Sequence, residues 1–324
     1  MPTISIIIVN WNGREHLDAC LRSVFAQTYK DFEVIMVDNG SVDDSVSFVE
    51  KNFPDVQIIP LKRNTGFAEG NNVGIREALK NSSIKYIVTL NNDTEVQADW
   101  LEQLIRVAQQ DDRTGAVASK IKFFFERDKL DSTGDYLLPG TLKVITRGYG
   151  DIDKGQYDRI EECFSARAGA ALYRREMLED CELSGDYFDS HFFAYIEDSD
   201  LSIRARLRGW KIMYAPQAVV YHKVASTTKK LSYIFRRYHS GRNRLFTAIK
   251  DYPASLWLKS MKGRESVDAD YRMTIGENIL IYTKIIGSLV VSWPRLLRQR
   301  RQIRRKRKVG NKEIKGWMEK FVIR

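Results

Sequence analysis

The stretch KYIVTLNNDTEV, residues 85–96, joins a strand-like apolar run directly to two amides and a carboxylate. The β-branched and aromatic residues of KYIVTL favour a strand. Asn91, Asn92 and Asp93 therefore stand where that strand should end. Two interpretations fit these three polar residues: a turn or helix cap ahead of the next helix, or a site that holds a metal ion and a phosphate.

The sequence on both sides of this stretch alternates between strand and helix patterns. The predicted strands are TISIIIVN (3–10), FEVIMVD (32–38), VQIIPL (56–61) and KYIVTL (85–90). The predicted helices are GREHLDACLRSVFAQ (13–27), DDSVSFVEKNF (43–53), GFAEGNNVGIREALKN (66–81) and DWLEQLIRVAQQ (99–110). Such closely spaced βα units predict an α/β fold with a Rossmann-like, mostly parallel sheet.

Each of these four strands is followed by polar side chains. They are Asn10 and Trp11 after the first strand, Asp38 after the second, Asn64 to Gly66 after the third, and Asn91 to Asp93 after the fourth. Open α/β sheets bind ligands at the carboxyl ends of their strands, so the pattern favours a nucleotide site. The alternative is that loops are polar in any protein.

The alternation weakens after about residue 115. GAVASKIKFFF (115–125) predicts another strand, and residues 126–162 predict a hairpin or a mobile loop. FSARAGAALYRREML (164–178) predicts a strand that runs into a helix. KIMYAP (211–216) and AVVYHK (218–223) predict two short strands, and the pattern is helical from Lys229 onward.

Cysteine content and the N-terminus indicate a reducing compartment. The three cysteines, Cys20, Cys163 and Cys181, have no metal-binding spacing and form no even disulfide set. The N-terminal apolar run has strand length and lacks a basic region before it, so we do not expect a signal peptide.

The positive charge of the chain is concentrated at its end. From Val290 to Arg324 there are 13 Lys and Arg against 2 Glu, a net of +11, whereas the whole chain is +10. The first 289 residues therefore sum to −1. The basic character belongs to a polybasic segment and says little about the body.

An amphipathic helix precedes this polybasic segment. One face comprises Ile279, Tyr282, Ile286, Leu289, Trp293 and Leu296. Lys284 interrupts the apolar run, so we do not expect a transmembrane span. Such a helix followed by RQRRQIRRKRK suits an anionic membrane surface, and the alternative is that it packs on the body. We do not expect nucleic-acid binding, because no aromatic residues are interleaved with the basic run.

Several of these stretches, in this order, resemble inverting glycosyltransferases of the large GT-A family 2. They are SIIIVNWNG, VIMVDNGSVDDS, RNTGFAEGNNVGI, LNNDTEV, FFAYIEDSDLSIRARLRGW and VVYHKVAS. The resemblance covers roughly residues 3–250 and is strongest to the rhamnosyltransferase-like branch that builds bacterial surface polysaccharides. RLRGW (206–210) stands where processive members have QxxRW, so we expect the addition of one or a few sugars.

The resemblance implies a divalent metal, Mn²⁺ or Mg²⁺, that neutralises the leaving diphosphate. Asp93 falls at the family's DXD-type motif and would be a metal ligand, although Asn91 replaces the motif's first aspartate. His222 matches the position that completes the metal shell. The alternatives are a turn or cap residue for Asp93 and a structural histidine for His222.

The resemblance also implies a catalytic base in IEDSD (196–200). Asp198 would take the proton of the acceptor hydroxyl, and Glu197 would bind or orient the acceptor. Asp200 is expected to have a structural role at a helix N-terminus. A solvated helix cap is the alternative for all three acids.

The nucleotide sugar is expected to contact residues at the four strand ends. Asp38 would accept a hydrogen bond from the pyrimidine N3–H, and Trp11 would either cover the base or belong to the core. Gly66 would allow close backbone approach. By resemblance, the full set that contacts the nucleotide sugar is Asn10, Trp11, Asp38, Asn64, Gly66, Asn72, Asn91, Asn92 and Asp93.

The resemblance implies an enzyme on the cytoplasmic side of the cell membrane that uses dTDP-rhamnose or, alternatively, a UDP-hexose. Its acceptor would be a saccharide or a lipid-linked saccharide. The other alternative is a catalytically inactive nucleotide-sugar-binding partner. We expect a GT-A domain at 1–228 (halves 1–122 and 123–228), a helical region at 229–297 and a polybasic tail at 298–324. The sequence does not specify an oligomeric state.

Overall fold

A computed structural model describes residues 2–224, 229–261 and 273–322. Its strands are β1 Ile4–Asn10, β2 Phe32–Asp38, β3 Val56–Pro60, β4 Tyr86–Asn91, β5 Thr94–Val96, β6 Thr114–Phe123, β7 Leu130–Ser132, β8 Asp135–Leu137, β9 Val144–Thr146, β10 Glu161–Glu162, β11 Ala170–Arg174 and β12 Lys211–His222. Its helices are α1 Arg14–Phe25, α2 Ser45–Asn52, α3 Gly66–Ala78, α4 Trp100–Ala108, α5 Arg175–Cys181, α6 Glu197–Leu207, α7 Lys229–Asp251, α8 Trp257–Met261, α9 Ile275–Lys306 and α10 Asn311–Lys320.

A ten-stranded sheet organises the molecule. Eight strands follow the order β10-β12-β6-β11-β4-β1-β2-β3, while β5 pairs with β12 and β7 pairs with β6. The β1, β2, β3 and β4 pairings are parallel, as predicted from the βα units. Strand β11 is antiparallel to both of its neighbours. The α/β, mostly parallel GT-A-like fold is therefore confirmed.

The two faces of the sheet carry separate apolar cores. Alternate residues of β1 point to opposite faces, as strand geometry requires. Ile4, Ile6 and Ile8 join the core under α1 and α4, whereas Ile7 joins the core that includes α3 and the C-terminal helices. This double burial explains why the strand is apolar at almost every position.

The prediction of two short strands at 211–216 and 218–223 is wrong. The segment is the single strand β12, whose register with β6 shifts between Ala215 and Val219. Pro216 lies in this irregular stretch, and a proline without an N–H group is tolerated at a bulge. The strand therefore bends here and continues.

The amphipathic face predicted for α9 is buried toward the C-terminal end of the helix and exposed toward its N-terminal end. Leu296 and Ile303 of α9 are buried. Farther toward the N-terminus of α9, Ile279, Ile286 and Val290 are 59–69% exposed. Most of the described part of the polybasic segment lies in α9 and α10, and it is not a detached tail, since Trp317 of α10 packs against Phe164 with ring centroids 5.8 Å apart.

Helix α9 also has the length and apolar composition of a membrane-crossing helix. This finding differs from the expectation that no such segment exists. The mean hydropathy of an 18-residue stretch of the helix is high although Lys284 interrupts the apolar residues. Core helices of soluble proteins meet the same criterion, so length and composition do not decide between crossing and lying on a surface.

Candidate active site

A cavity of about 380 Å³ opens at the carboxyl end of β4 and is lined by residues from both halves of the sheet. Asn91 lines one side, His222 comes from the end of β12, and Glu197 and Asp198 come from the start of α6. Residues more than 100 positions apart in the chain thus meet in one cleft. This proximity is what the chemistry implied by the sequence resemblance requires.

The local fold of NNDTEV brings Asp93 beside His222. After β4, the chain turns and forms β5, which pairs antiparallel to β12 with Thr94 opposite His222. Asp93 immediately precedes Thr94, so its Oδ1 lies 3.3 Å from Nε2 of His222. Asn92 and Asp93 therefore do form a turn, and the turn also positions a carboxylate next to an imidazole.

The second ring nitrogen of His222 is held by Asp131, which belongs to none of the sequence motifs. Nδ1 of His222 lies 2.7 Å from Oδ2 of Asp131, and Nη1 of Arg167 donates to Oδ1 of the same carboxylate at 3.0 Å. Burial lowers the pKa of His222, but hydrogen bonds to Asp131 and Asp93 outweigh it and raise the pKa to about 9. Asp131 thereby fixes the ring with Nε2 toward Asp93.

Asp93 and His222 fit a divalent ion as a pair of ligands. Ligand atoms about 2.1 Å from one octahedral ion lie about 3 Å apart, close to the 3.3 Å between Oδ1 of Asp93 and Nε2 of His222. Within the described ranges, no group of three or more His, Cys, Asp or Glu forms a metal cluster. Any ion here would take its remaining ligands from the diphosphate and water, and carboxylate plus imidazole suits Mn²⁺.

Glu197 and Asp198 lie at the N-terminus of α6 and differ in their surroundings. Oδ1 of Asp198 accepts from the Ser199 N–H at 2.7 Å, and Oδ2 accepts from the Ala168 N–H at 3.3 Å. Burial raises the pKa of Asp198. Burial and then the neighbouring Asp198 raise the pKa of Glu197 well above its ordinary value. The arrangement suits a protonated Glu197 beside an ionised Asp198.

The backbone that leads into α6 is strained. Phe193, Tyr195 and Ile196 have φ values of 64°, 70° and 71°, a region that branched and bulky side chains rarely adopt. The side chain of Asn243, buried on α7, donates from Nδ2 toward the carbonyl oxygens of Ala194 at 2.9 Å and Tyr195 at 2.8 Å. Strain of this kind persists only where surrounding contacts fix it.

Asn243→Asp is expected to disturb this loop, because a carboxylate would face the carbonyl oxygens that now accept hydrogen bonds. We expect kcat to fall and the free energy of unfolding to drop by about 1–3 kcal/mol, the cost of unsatisfied buried polar groups. Steady-state kinetics and urea unfolding measure the two effects. Asn52→Asp is the control, since Asn52 also donates to a backbone carbonyl but on an exposed helix. Equal effects of both changes would show that the side chain of Asn243 does not hold the backbone of residues 194–195 in place.

The predicted nucleotide contacts at the ends of β1 and β2 form one hydrogen-bonded group. Nδ2 of Asn10 donates to Oδ1 of Asp38 at 3.2 Å, and Oδ1 of Asn10 accepts from Asn92 at 2.8 Å. Oδ2 of Asp38 accepts from the Ser41 N–H. Trp11 is 54% exposed beside this group, so the core alternative for Trp11 is wrong.

Asn72 is a correction to the predicted set. Its Oδ1 accepts from the N–H groups of Tyr187 and Phe188, and its Nδ2 donates to the Phe188 carbonyl at 2.7 Å. The residue is fully buried, and the remaining amide hydrogen points toward Glu69. An asparagine has four hydrogen-bonding sites, all used here, so Asn72 holds the 187–188 backbone and has none left for a ligand.

Asn64 and Gly66 organise the loop before α3. Oδ1 of Asn64 accepts from the Gly66 N–H at 2.8 Å. A Cβ on Gly66 would lie 2.5 Å from the carbonyl oxygen of Phe193, and φ of Gly66 is +89°. The close approach that we expected toward a ligand is therefore an approach to the strained backbone that leads into α6.

This fold and cleft define a class: transferases that handle nucleotide sugars on a GT-A sheet. The family described as Glycosyl transferase family 2 matches residues 5–181, more than half of the chain. The chain belongs to this family, as the sequence resemblance predicted.

Two curated relatives are similar to the chain. An N-acetylglucosaminyl-diphospho-decaprenol L-rhamnosyltransferase of Mycobacterium tuberculosis is 25% identical over 251 residues, which are 69% of this chain and 77% of that protein. An uncharacterized glycosyltransferase of Haemophilus influenzae is 28% identical over 130 residues, 39% of each chain. The latter match thus spans well under half of that relative's length.

Solved structures share the fold at low identity. GalNAc-T7 with UDP, GalNAc and Mn²⁺ has a TM-score of 0.62 at 14% identity, covering 88% of this chain and 54% of that one. Staphylococcus aureus TarS 1–349 in complex with UDP has a TM-score of 0.60 at 16% identity, covering 98% and 90%. The Pyrobaculum calidifontis mannosyltransferase with GDP-Man and Mn²⁺ has a TM-score of 0.57 at 16% identity, covering 93% and 85%.

Proposed function

We propose that this protein transfers a sugar from a nucleotide diphosphate donor to an acceptor hydroxyl, with inversion of the anomeric centre. The observation that carries the proposal is that His222, beside Asp93, and Asp198 line the same cavity. One side offers ligands for a cation on the diphosphate, and the other offers a carboxylate for the hydroxyl. Family membership and the nucleotide-bearing neighbours support it.

Each side chain has a distinct part in this reaction. Asp38 accepts a hydrogen bond from the pyrimidine, and exposed Trp11 covers the base. Asp93 and His222 would hold a divalent ion, which would supply positive charge to the leaving diphosphate. Asp198 takes the acceptor proton as the hydroxyl attacks the face opposite the leaving group. Glu197, kept protonated by burial, donates a hydrogen bond that orients the acceptor.

We propose dTDP-rhamnose as the donor, with a UDP-hexose as the competing candidate. The support is the name of the mycobacterial relative, a rhamnosyltransferase that acts on a diphospho-decaprenol compound. We propose by the same analogy a lipid-linked saccharide acceptor and a peripheral location on the inner face of the membrane. The division at residue 228 between catalytic and helical regions remains a prediction.

A thermal-shift screen of nucleotide sugars with and without Mn²⁺ tests the proposal, since a ligand that binds the folded state raises its Tm. We expect the largest Tm increase with a dTDP- or UDP-sugar plus Mn²⁺. Release of nucleotide diphosphate in the presence of acceptor extracts then measures turnover. Absence of both responses with every donor would overturn the transferase assignment.

The pH dependence of kcat/KM should distinguish the two acids. Asp198 acts only when ionised, so activity falls as pH drops through its pKa, which burial raises above the ordinary aspartate value. A protonated Glu197 resembles glutamine, so Glu197→Gln should leave this acid limb in place while lowering kcat. Profiles from about pH 4 to 9 for both proteins measure the limb. A shift of the limb to lower pH in Glu197→Gln would mean that Glu197 is charged in the free enzyme.

A further inference from the structure

A second cavity, of about 260 Å³, lies at the end of α7 and is lined by three arginines. Arg300 and Arg304 are one helical turn apart on α9, and Arg307 follows directly after the helix. Asn311 and Ser255 add polar groups to the same lining. None of these residues takes part in the catalytic cleft.

Among the described residues, the hydrogen bonds of these guanidiniums go to neutral acceptors. Arg300 donates to the carbonyl oxygen of Tyr252 at 2.6 Å and to that of Ile249. Arg307 donates to the Val309 carbonyl at 2.6 Å and to Oδ1 of Asn311 at 2.7 Å. All of these acceptors are neutral. In the part of the chain that the structure describes, no salt bridge joins Arg300, Arg304 or Arg307 to a carboxylate.

Electrostatics favour an anion in this cavity. Burial and the nearby guanidiniums of Arg304 and Arg307 lower the pKa of Arg300, against the opposing charge of Asp251. Asp251 is the one acid in the cavity lining, against three arginines, and burial and the neighbouring Asp200 raise its pKa well above the ordinary value. Converging guanidiniums with free N–H donors match the geometry and charge of a phosphate group.

Several exposed apolar side chains of α9 lie on the same side of the helix as Arg304, whereas exposed Leu280 and Val291 point to another side. In a regular helix the 18 residues from Ile286 to Arg304 make about five turns and give both side chains one direction, and Pro294 lies between them in α9. Ile279, Val290 and Trp293 are exposed nearby on this surface. A helix with apolar side chains, an interfacial tryptophan and basic residues at one end is the pattern of interfacial membrane helices.

We propose that the cavity of Arg300, Arg304 and Arg307 binds the phosphate of an anionic phospholipid while the apolar side chains of α9 enter the acyl boundary. This inference deepens the proposed peripheral location and does not depend on the donor or the reaction. The site would hold the enzyme on the membrane surface and present the cleft to lipid-linked acceptors.

Arg304→Gln and its neighbour Arg305→Gln form a matched pair, because they remove the same charge from adjacent exposed positions and only Arg304 lines the cavity. We expect binding of the full chain to vesicles with phosphatidylglycerol to be on the order of fivefold weaker for Arg304→Gln than for Arg305→Gln. Val290→Ser should also weaken it, and vesicles of phosphatidylcholine alone should bind little. Co-sedimentation at fixed ionic strength measures all four.

Other outcomes overturn the proposal in defined ways. Equal losses in the arginine pair would mean diffuse attraction to the polybasic segment. If inorganic phosphate raises the Tm of wild type but not of Arg304→Gln, while both bind vesicles equally, the site takes free phosphate and no lipid. Retention after an alkaline carbonate wash would mean that α9 crosses the bilayer. Donor binding, followed by thermal shift, should be the same in both variants, so failure here leaves the proposed function standing.

Discussion

Asp198→Asn should reduce kcat by about 10²–10⁴-fold, the usual contribution of a general base. An asparagine side chain keeps an oxygen that can accept from the Ser199 N–H, so the start of α6 should retain its shape. It has no site that can take the acceptor proton. Donor-dependent release of nucleotide diphosphate with acceptor present measures the loss, and KM for the donor should change little because Asp198 acts on the other substrate.

Asp112→Asn is the control for this change, since Asp112 is exposed and lies outside the catalytic cavity. Thermal shift with the nucleotide sugar should give the same Tm increase for wild type, Asp198→Asn and Asp112→Asn. Activity of Asp198→Asn within about threefold of wild type would place the base elsewhere. Loss of the thermal shift together with activity would instead indicate that the variant no longer forms the cleft.

The first half of the fold could be predicted because its signals are local. Apolar β-branched runs of strand length, separated by helices with apolar residues at three- and four-residue spacing, specify βα units without reference to distant residues. The polar ends of β1, β2 and β4 then meet at one edge because parallel strands end together. This rule is sufficient to predict from the sequence that Asn10, Asp38 and Asn92 lie close together.

The rest of the site depends on distant pairings that leave no local pattern. Asp131 belongs to a short strand inside 126–162, a segment rich in glycine and charge that reads as a hairpin or mobile loop. Its role becomes visible only when β7 pairs with β6 and β12 lies beside them. For Asn72 the motif predicts a contact with the nucleotide sugar that the structure does not support. Its side-chain amide instead binds the backbone of residues 187–188.

Lys250→Met should lower the free energy of unfolding by about 3–5 kcal/mol, the cost of breaking a buried ion pair from one side. Nζ of Lys250 lies 2.7 Å from Oδ2 of Asp189 and 2.7 Å from Oδ1 of Asp200. The side chains of Lys250, Asp189 and Asp200 are all almost fully buried, so water cannot replace the lost cation. Arg295 still contacts Asp189, and Arg204 still contacts Asp200, which limits the loss to the lower part of this range. Urea unfolding measures it, and Lys51→Met on exposed α2 is the matched control.

The loss in Lys250→Met should shrink in acid. Burial opposes ionisation of Asp189, but the charge of Lys250, a hydrogen bond with His191 and the charge of Arg295 together outweigh burial and lower the pKa of Asp189 well below the ordinary value. A carboxyl with a depressed folded-state pKa stabilises the protein above its unfolded pKa of about 3.9 and loses that contribution as pH falls through the folded value. As pH falls, wild type therefore loses a stabilising contribution from ionised Asp189. Lys250→Met already lacks part of this contribution at neutral pH. A difference between the two proteins that stays constant from about pH 7 to pH 3 would show that Lys250 acts through packing and not through its charge.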